Sequence, residues 1–273
     1  MNLKTNVIFR TCDKINAVHG SPRPFNLNKI TLIKICFLSL IKSLEGKKYA
    51  IYIVADDISS ELTNFFEKYP VSITHGVFGN DNSLRECFKI AKEIPNDELI
   101  YFCEDDYLHQ QDTFNHVIEL YTNSQVILPG DLTIKKLLRK RELTLLRIKR
   151  YFTKPEILVF PCDYPDRYDI RFLQKHFIYH TSKIHWRQVE DITFTFLLMS
   201  STFKKHFKTI NKSAEKANDR YLSKKLLGSG FFYKKLLALS PMPSLSCHMH
   251  SETMSNVVNW KAIVDYICEN NKL

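Results

Sequence analysis

Glu104-Asp105-Asp106 sets three carboxylates in a row at the end of an apolar run with β character, Leu99-Ile100-Tyr101-Phe102-Cys103. Adjacent negative charges at the mouth of a buried strand repel one another unless something positive sits there. Hard oxygen donors in that position suit Mg²⁺ or Mn²⁺ held over a phosphate-bearing ligand. The bland alternative is a polar strand end solvated in a loop. Cys247-His248-Met249-His250 offers a second chemistry, three soft or borderline donors for zinc, but no other Cys/His cluster at finger-like spacing accompanies it.

The elements that must position these groups alternate. Val7-Ile8-Phe9 reads as a strand, Ile30 to Leu44 as a core helix, Ile51 to Val54 as a strand, and Leu62, Phe65, Phe66 and Tyr69 as a helix stripe ended by Pro70. Val71 to Phe78 looks extended. Ser83-Leu84-Arg85-Glu86 has the spacing of a capping box and predicts a helix starting there. Such β-α-β-α alternation predicts an α/β protein with a mostly parallel sheet flanked by helices, whose ligands bind outside the carboxyl ends of the strands. The polar residues at those ends are Arg10-Thr11, Asp56-Asp57, Gly79-Asn80-Asp81-Asn82 and Glu104-Asp105-Asp106. The second half is more mixed: Ile157 to Phe160, Phe177 to Tyr179 and Ile192 to Met199 read as strands, and Asn218 to Leu227 and Phe231 to Leu239 as helices.

With 273 residues, 44% hydrophobic and 12% aromatic, and only 7 Gly and 10 Pro, the chain has the composition of an ordered globular protein rather than a disordered one. No composition break divides it, which predicts a single domain over 1–273. The net charge of +10 favours phosphate-bearing partners without choosing among nucleotide, nucleic acid and anionic lipid. Seven irregularly spaced cysteines, most of them within apolar runs, point to a reducing compartment. The strand-like Asn6 to Phe9 follows the start too closely for a secretion signal, so the expected location is cytoplasmic.

Between Asp131 and Phe152 lie eight Lys/Arg and two acids, while Ile134, Leu137, Leu138, Leu145, Ile148 and Phe152 share a narrow helical arc. A basic amphipathic helix of this kind suits an anionic membrane surface, which would place the protein peripherally on the inner face of the cell membrane. An ordinary surface helix packed on the sheet is the other reading.

The whole arrangement resembles a glycosyltransferase of the GT-A fold, in particular those of bacterial polysaccharide assembly. The resemblance rests on Glu104-Asp105-Asp106 in place of the family's acidic strand-end motif, on Phe160-Pro161-Cys162-Asp163-Tyr164-Pro165-Asp166-Arg167-Tyr168, on His185-Trp186-Arg187, on Ser244-Leu245-Ser246-Cys247-His248 and on Val257-Val258-Asn259-Trp260. It implies a Rossmann-like nucleotide-sugar-binding half over 1–125, the basic segment over 126–156 and a mixed acceptor-binding half over 157–273. It further implies Mn²⁺ or Mg²⁺ on Asp106, Glu104 and His248. The donor, a UDP-sugar, would be lined by Arg10, Thr11, Asp56, Asp57, Asn80, Asn82, Arg85 and Asp105. If transfer inverts the anomeric carbon, a carboxylate must deprotonate the acceptor, and the candidates are Glu190 and Asp191, at the edge of a hairpin-like pair, ahead of Asp219. The acceptor is expected to be a growing lipid-linked glycan such as O-antigen or capsule.

Two rivals stand beside this reading. A metal-dependent nucleotidyltransferase would use the same acidic edge, but Arg10 to Arg23 contain only Gly20 where a triphosphate loop needs several glycines. A basic nucleic-acid-binding protein would use residues 131–152, yet the carboxylates at the ligand edge repel such a partner, and no nucleic acid is expected.

Overall fold

The computed structural model describes residues 3–14, 22–122, 156–169, 176–228 and 235–273. The basic segment 131–152 lies outside the described residues. The first half runs β1 (Thr5–Thr11), α1 (Lys29–Ser43), β2 (Tyr49–Asp56), α2 (Ser60–Phe66), β3 (Ser72–Gly76), α3 (Gly79–Glu93), β4 (Leu99–Glu104), β5 (Tyr107–His109) and α4 (Thr113–Thr122). The second half adds β6 (Glu156–Val159), β7 (Ile178–His180), β8 (His185–Val189), β9 (Phe196–Met199), α5 (Ser200–Ser213), α6 (Asp219–Leu226), β10 (Leu236–Met242), β11 (Ser246–His248) and α7 (Trp260–Asn271).

Nine strands form one sheet in the order β3-β2-β1-β4-β9-β6-β10-β8-β7. The pairings make β1, β2, β3, β4, β6, β7 and β10 run one way and only β8 and β9 the other, so the sheet is mostly parallel, as the alternation requires. Central strands of such a sheet are covered on both faces and read as unbroken apolar runs. Accordingly Val7, Ile8 and Phe9 of β1 are fully buried. Phe9 meets Phe37 of α1 and Phe66 of α2 edge-on, with ring centroids 5.5 and 6.1 Å apart. Each such buried ring contributes roughly 1.5–3 kcal/mol. These contacts fix the helices over the sheet and thereby the aim of their first turns.

Three local expectations give way to tertiary context. Helix α3 begins at Gly79, a turn ahead of Ser83, because Asp56 Oδ1 on β2 accepts the N–H groups of Phe78 (2.6 Å) and Gly79 (3.1 Å). Gly79 takes φ +73, which a glycine tolerates without strain. The stretch expected to be helical up to Leu239 is instead the strand β10 from Leu236, buried between β6 and β8, where burial on both faces overrides the helix preference of Leu and Ala. Pro241 is accommodated because β6 pairs only with Leu236 to Leu239, so no partner on that side needs its missing N–H. The expected strand from Ile192 is regular only over Phe196–Met199; its first half serves the site.

Candidate metal and donor site

A separate two-stranded sheet builds the centre. After β4 the chain turns through Asp105-Asp106 into β5, which pairs antiparallel with β11: Tyr107 opposite His248, Leu108 opposite Cys247, His109 opposite Ser246. The ladder extends one step further, where Met249 N–H donates to Asp106 O at 2.8 Å. Side chains alternate along an extended chain. His248 and His250 therefore share one face, while Cys247 and Met249 turn into the core at 2% and 0% exposure. Both imidazole Nε2 atoms lie 3.3 Å from the same oxygen, Asp106 Oδ2.

The three donor atoms lie within 4.8 Å of one another. Ligands sharing one ion at bond lengths of about 2.1 Å stand about 3 Å apart when adjacent, so the spacing fits a single divalent cation. Two imidazoles and one carboxylate form a borderline donor set that suits Mn²⁺ or Zn²⁺ better than Mg²⁺. Cys247 does not join: its thiol faces His248 O, and burial pushes it up, away from the thiolate form a metal needs. The three-ligand Cys-His-x-His reading is thereby corrected to His-x-His plus an aspartate.

Each carboxylate has its own cation. Arg10 reaches Glu104 at 2.6 Å, Lys29 reaches Asp105 at 2.7 Å and Arg23 reaches Asp106 at 3.0 Å. Lys29 is the first residue of α1, where a positive charge opposes the helix dipole, and Asn28 caps the same turn by accepting Thr31 N–H at 2.9 Å. Its pairing with Asp105 offsets that penalty. Thr11 Oγ1 and Cys12 N–H both donate to the other oxygen of Asp105 at 3.0 Å. Burial disfavours charge on Lys29, but Asp105 and Asp106 outweigh it and raise its pKa. Burial likewise opposes charge on Asp106 and on His248. Their mutual attraction wins, holding the carboxyl well below its usual range and raising the imidazole.

An aromatic floor supports His248. Tyr107 stacks on its ring at 4.8 Å and 8° between planes. The Tyr107 hydroxyl bonds to Thr193 Oγ1 at 2.7 Å and Tyr164 at 3.2 Å, and Tyr164 in turn lies 3.4 Å from His248 Nδ1. Burial keeps both phenols neutral. Thr195 Oγ1 accepts Glu104 N–H at 3.1 Å, so the irregular segment before β9 closes the far side.

The structure gathers the expected residues unevenly. Arg10 joins Glu104 to Asn80 (2.7 Å) and Ser83 (3.3 Å), making one cluster beside Asp105 and Thr11. Asp56 is occupied with the start of α3, Asp57 is exposed at φ +51, and Asn82 accepts from Arg85 (3.1 Å). Glu104 faces Arg10 and Thr195 rather than the histidines. Among the acceptor candidates, Asp191 is exposed and paired with Arg167 at 3.0 Å. Glu190 is half-buried at the end of β8. Asp219, at the start of α6, has its carboxyl raised by burial, with the charge of Asp191 adding to the effect. Sequence reading missed His250 as a partner of Asp106, and Arg23 and Lys29 altogether. The alternation around Met249 was the one available signal.

A cavity of about 240 Å³ lies elsewhere, between α1, β5 and α7, lined by Ser39, Lys42, His109, Ile263 and Tyr266 among others. No carboxylate lines it, and the convergent charges mark the Asp106 cluster as the better candidate for chemistry.

No protein-family model matches the sequence, and no curated protein matches it either. Among solved structures the chain trace is similar to residues 1–349 of S. aureus TarS, at 12% identity and a TM-score of 0.43 over 75% of this chain; it spans about half (49%) of that chain. It is also similar to the galactosyltransferase LgtC, described in complex with donor and acceptor sugar analogues, at 8% identity and a TM-score of 0.41 over 85% of this chain and 72% of that one. A 4-diphosphocytidyl-2C-methyl-D-erythritol synthase from Anaerococcus prevotii gives 10% identity and a TM-score of 0.38 over 100% and 99% of the two chains. Likenesses of this size reach both glycosyl- and nucleotidyltransferases and carry no argument between them.

Proposed function

We propose that the protein is a metal-dependent glycosyltransferase that moves a sugar, a hexose carried on UDP, to a growing lipid-linked bacterial surface glycan such as O-antigen or capsule. The observation that carries this reading is the convergence of Asp106, His248 and His250 at the carboxyl edge of a mostly parallel sheet, beside the cations Arg10, Lys29 and Arg23. Asp106, His248 and His250 would hold Mn²⁺. When bound, the ion supplies neutralisation of the negative charge that grows on the departing diphosphate.

The chain's own residues do the rest. Arg10, fixed by Glu104 and Asn80, and Lys29, fixed by Asp105, present positive charge to the donor, and Thr11 lines the same edge. Asp57, Asn82 and Arg85 would bound the nucleotide from the α3 side. Asp219 is favoured as acceptor base over Asp191, which Arg167 occupies, and over Glu190. Burial raises the Asp219 carboxyl towards the range in which a carboxylate accepts a proton efficiently. Residues 131–152 would hold the protein against anionic lipid on the inner membrane face. Among the described residues no helix is long and apolar enough to cross a membrane.

The test is a thermal-shift panel of nucleotides and nucleotide-sugars with and without Mn²⁺, on the wild type and on Asp106→Ala. A Mn²⁺-dependent rise with one nucleoside diphosphate, lost in the variant, is the expected outcome. Transfer assays then separate the steps: Asp219→Asn should bind donor normally and transfer at least about a hundredfold more slowly. Release of pyrophosphate instead of a nucleoside diphosphate would turn the reading to a nucleotidyltransferase, and no shift with any ligand would remove it.

A further inference from the structure

The three carboxylates of Glu104-Asp105-Asp106 are already balanced by three cations, one each. Arg10 and Lys29 sit on Glu104 and Asp105 and can stay there when an ion reaches Asp106. Arg23 cannot stay as it is. Its guanidinium donates to Asp106 Oδ2, the same atom that both imidazoles face. A divalent cation placed among those three donors would stand against a guanidinium with 7% side-chain exposure, where little solvent screens the repulsion.

Resting on the donor reading above, we propose that Arg23 is a resident cation that the metal must displace from Asp106 and that then moves onto the donor's diphosphate, so that metal and nucleotide bind as a coupled pair. A guanidinium pairs with phosphate as readily as with carboxylate, so the diphosphate offers Arg23 an equivalent of the carboxylate it gives up. Charge gives the same answer. Adding a dication to a balanced set leaves a surplus that a diphosphate matches and that water alone does not.

The segment carrying Arg23 is held in a way that fits this role. Arg23 also donates to Met249 O at 3.3 Å, and Pro22 O accepts from Ser251 Oγ at 3.1 Å, so the arm leans on the loop that carries both histidines. Immediately after it, Phe25 and Asn26 both adopt positive φ, 60 and 56. Two consecutive non-glycine residues in that region are unfavourable on their own and persist where surrounding contacts over-determine them. The arm is therefore set by the site rather than by its own local preference.

The experiment is calorimetric titration of Mn²⁺ without and with saturating UDP, on the wild type, Arg23→Gln and Arg23→Lys, with a melting curve for each. In the wild type UDP should tighten Mn²⁺ binding at least tenfold. Arg23→Gln should bind Mn²⁺ alone at least tenfold more tightly than the wild type and show a smaller enhancement by UDP, while Arg23→Lys, which keeps the charge, should stay near the wild type. Equal Mn²⁺ affinity with and without UDP in the wild type overturns the coupling, and this arm needs no variant to fold. Wild-type binding of Mn²⁺ with UDP but unchanged or weaker Mn²⁺ binding in Arg23→Gln overturns the role of Arg23 alone. No binding of either ligand by a folded wild type overturns the donor reading itself.

Discussion

Two buried carboxylates stand at the same edge of the sheet, each against an arginine, and they are built for opposite ends. Asp163, just past β6, is 2% exposed and closed on every side: Arg187 of β8 donates to one oxygen, the Tyr168 hydroxyl to the other, and its own N–H is taken by Ser244 Oγ at 2.7 Å. The Tyr168 ring also lies 4.3 Å from the same guanidinium. Asp106 instead shares one oxygen among Arg23 and two imidazoles whose nitrogens converge on it. A carboxylate with its partners fixed and no spare donor nearby can only hold the fold together. One surrounded by convergent nitrogen ligands can exchange its partner for an ion.

That contrast breaks most plainly in stability. Asp163→Ala leaves the buried Arg187 without its carboxylate and should cost about 3–5 kcal/mol in urea unfolding. Asp106→Asn keeps an acceptor for Arg23 and should cost less than about 2 kcal/mol. Equal losses would place the two carboxylates in one class.

A finer version concerns histidines on the paired strands. His109 of β5, 1% exposed, is pushed down to about 3 by burial, whereas Asp106 raises His248 of β11. Below pH 6.5 the unfolded chain takes up a proton that folded His109 refuses, so its contribution to stability falls with acidification and continues to fall until about pH 3. Between pH 6.5 and 4.5 the wild type should lose about 2 kcal/mol more than His109→Gln, read from urea midpoints. Parallel pH profiles would show that this imidazole is not kept neutral by burial.

The smallest effect sharpens the donor set. His250→Ala should weaken Mn²⁺ binding in the presence of UDP roughly tenfold, about 1.4 kcal/mol, while Cys247→Ser leaves it unchanged. Loss of Mn²⁺ binding in the Cys247 variant would restore the thiolate reading.

The first four strands and their intervening helices were legible because each apolar run has its own period and a clear stop. The acidic end of β4 followed, since strand direction decides which ends face a ligand. What stayed hidden was long-range. The cap of α3 comes from Asp56, on a different strand, so the local Ser83 spacing suggested a later start. Arg23 and His250 stand 83 and 144 residues from Asp106, and no local pattern announces either. His250 was half visible, since strand alternation through Met249 separates it and His248 from Cys247. Leu236 to Leu239 misled because a run of Leu and Ala has no period of its own, and only its position between β6 and β10's other neighbour β8 makes it a strand.

The pairing of β5 with β11 also sets the order in which the protein can be made. Closing that ladder requires Ser246 to His248 to return to Tyr107 to His109 across more than a hundred residues, a closure that is slow and entropically costly. The β1 to β4 core can assemble while the later chain is still being synthesised, but Asp106 gains its histidines only after the strand near residue 248 emerges. A nascent chain that has not yet reached that strand therefore has its acidic edge without the two imidazoles that complete the Asp106 cluster.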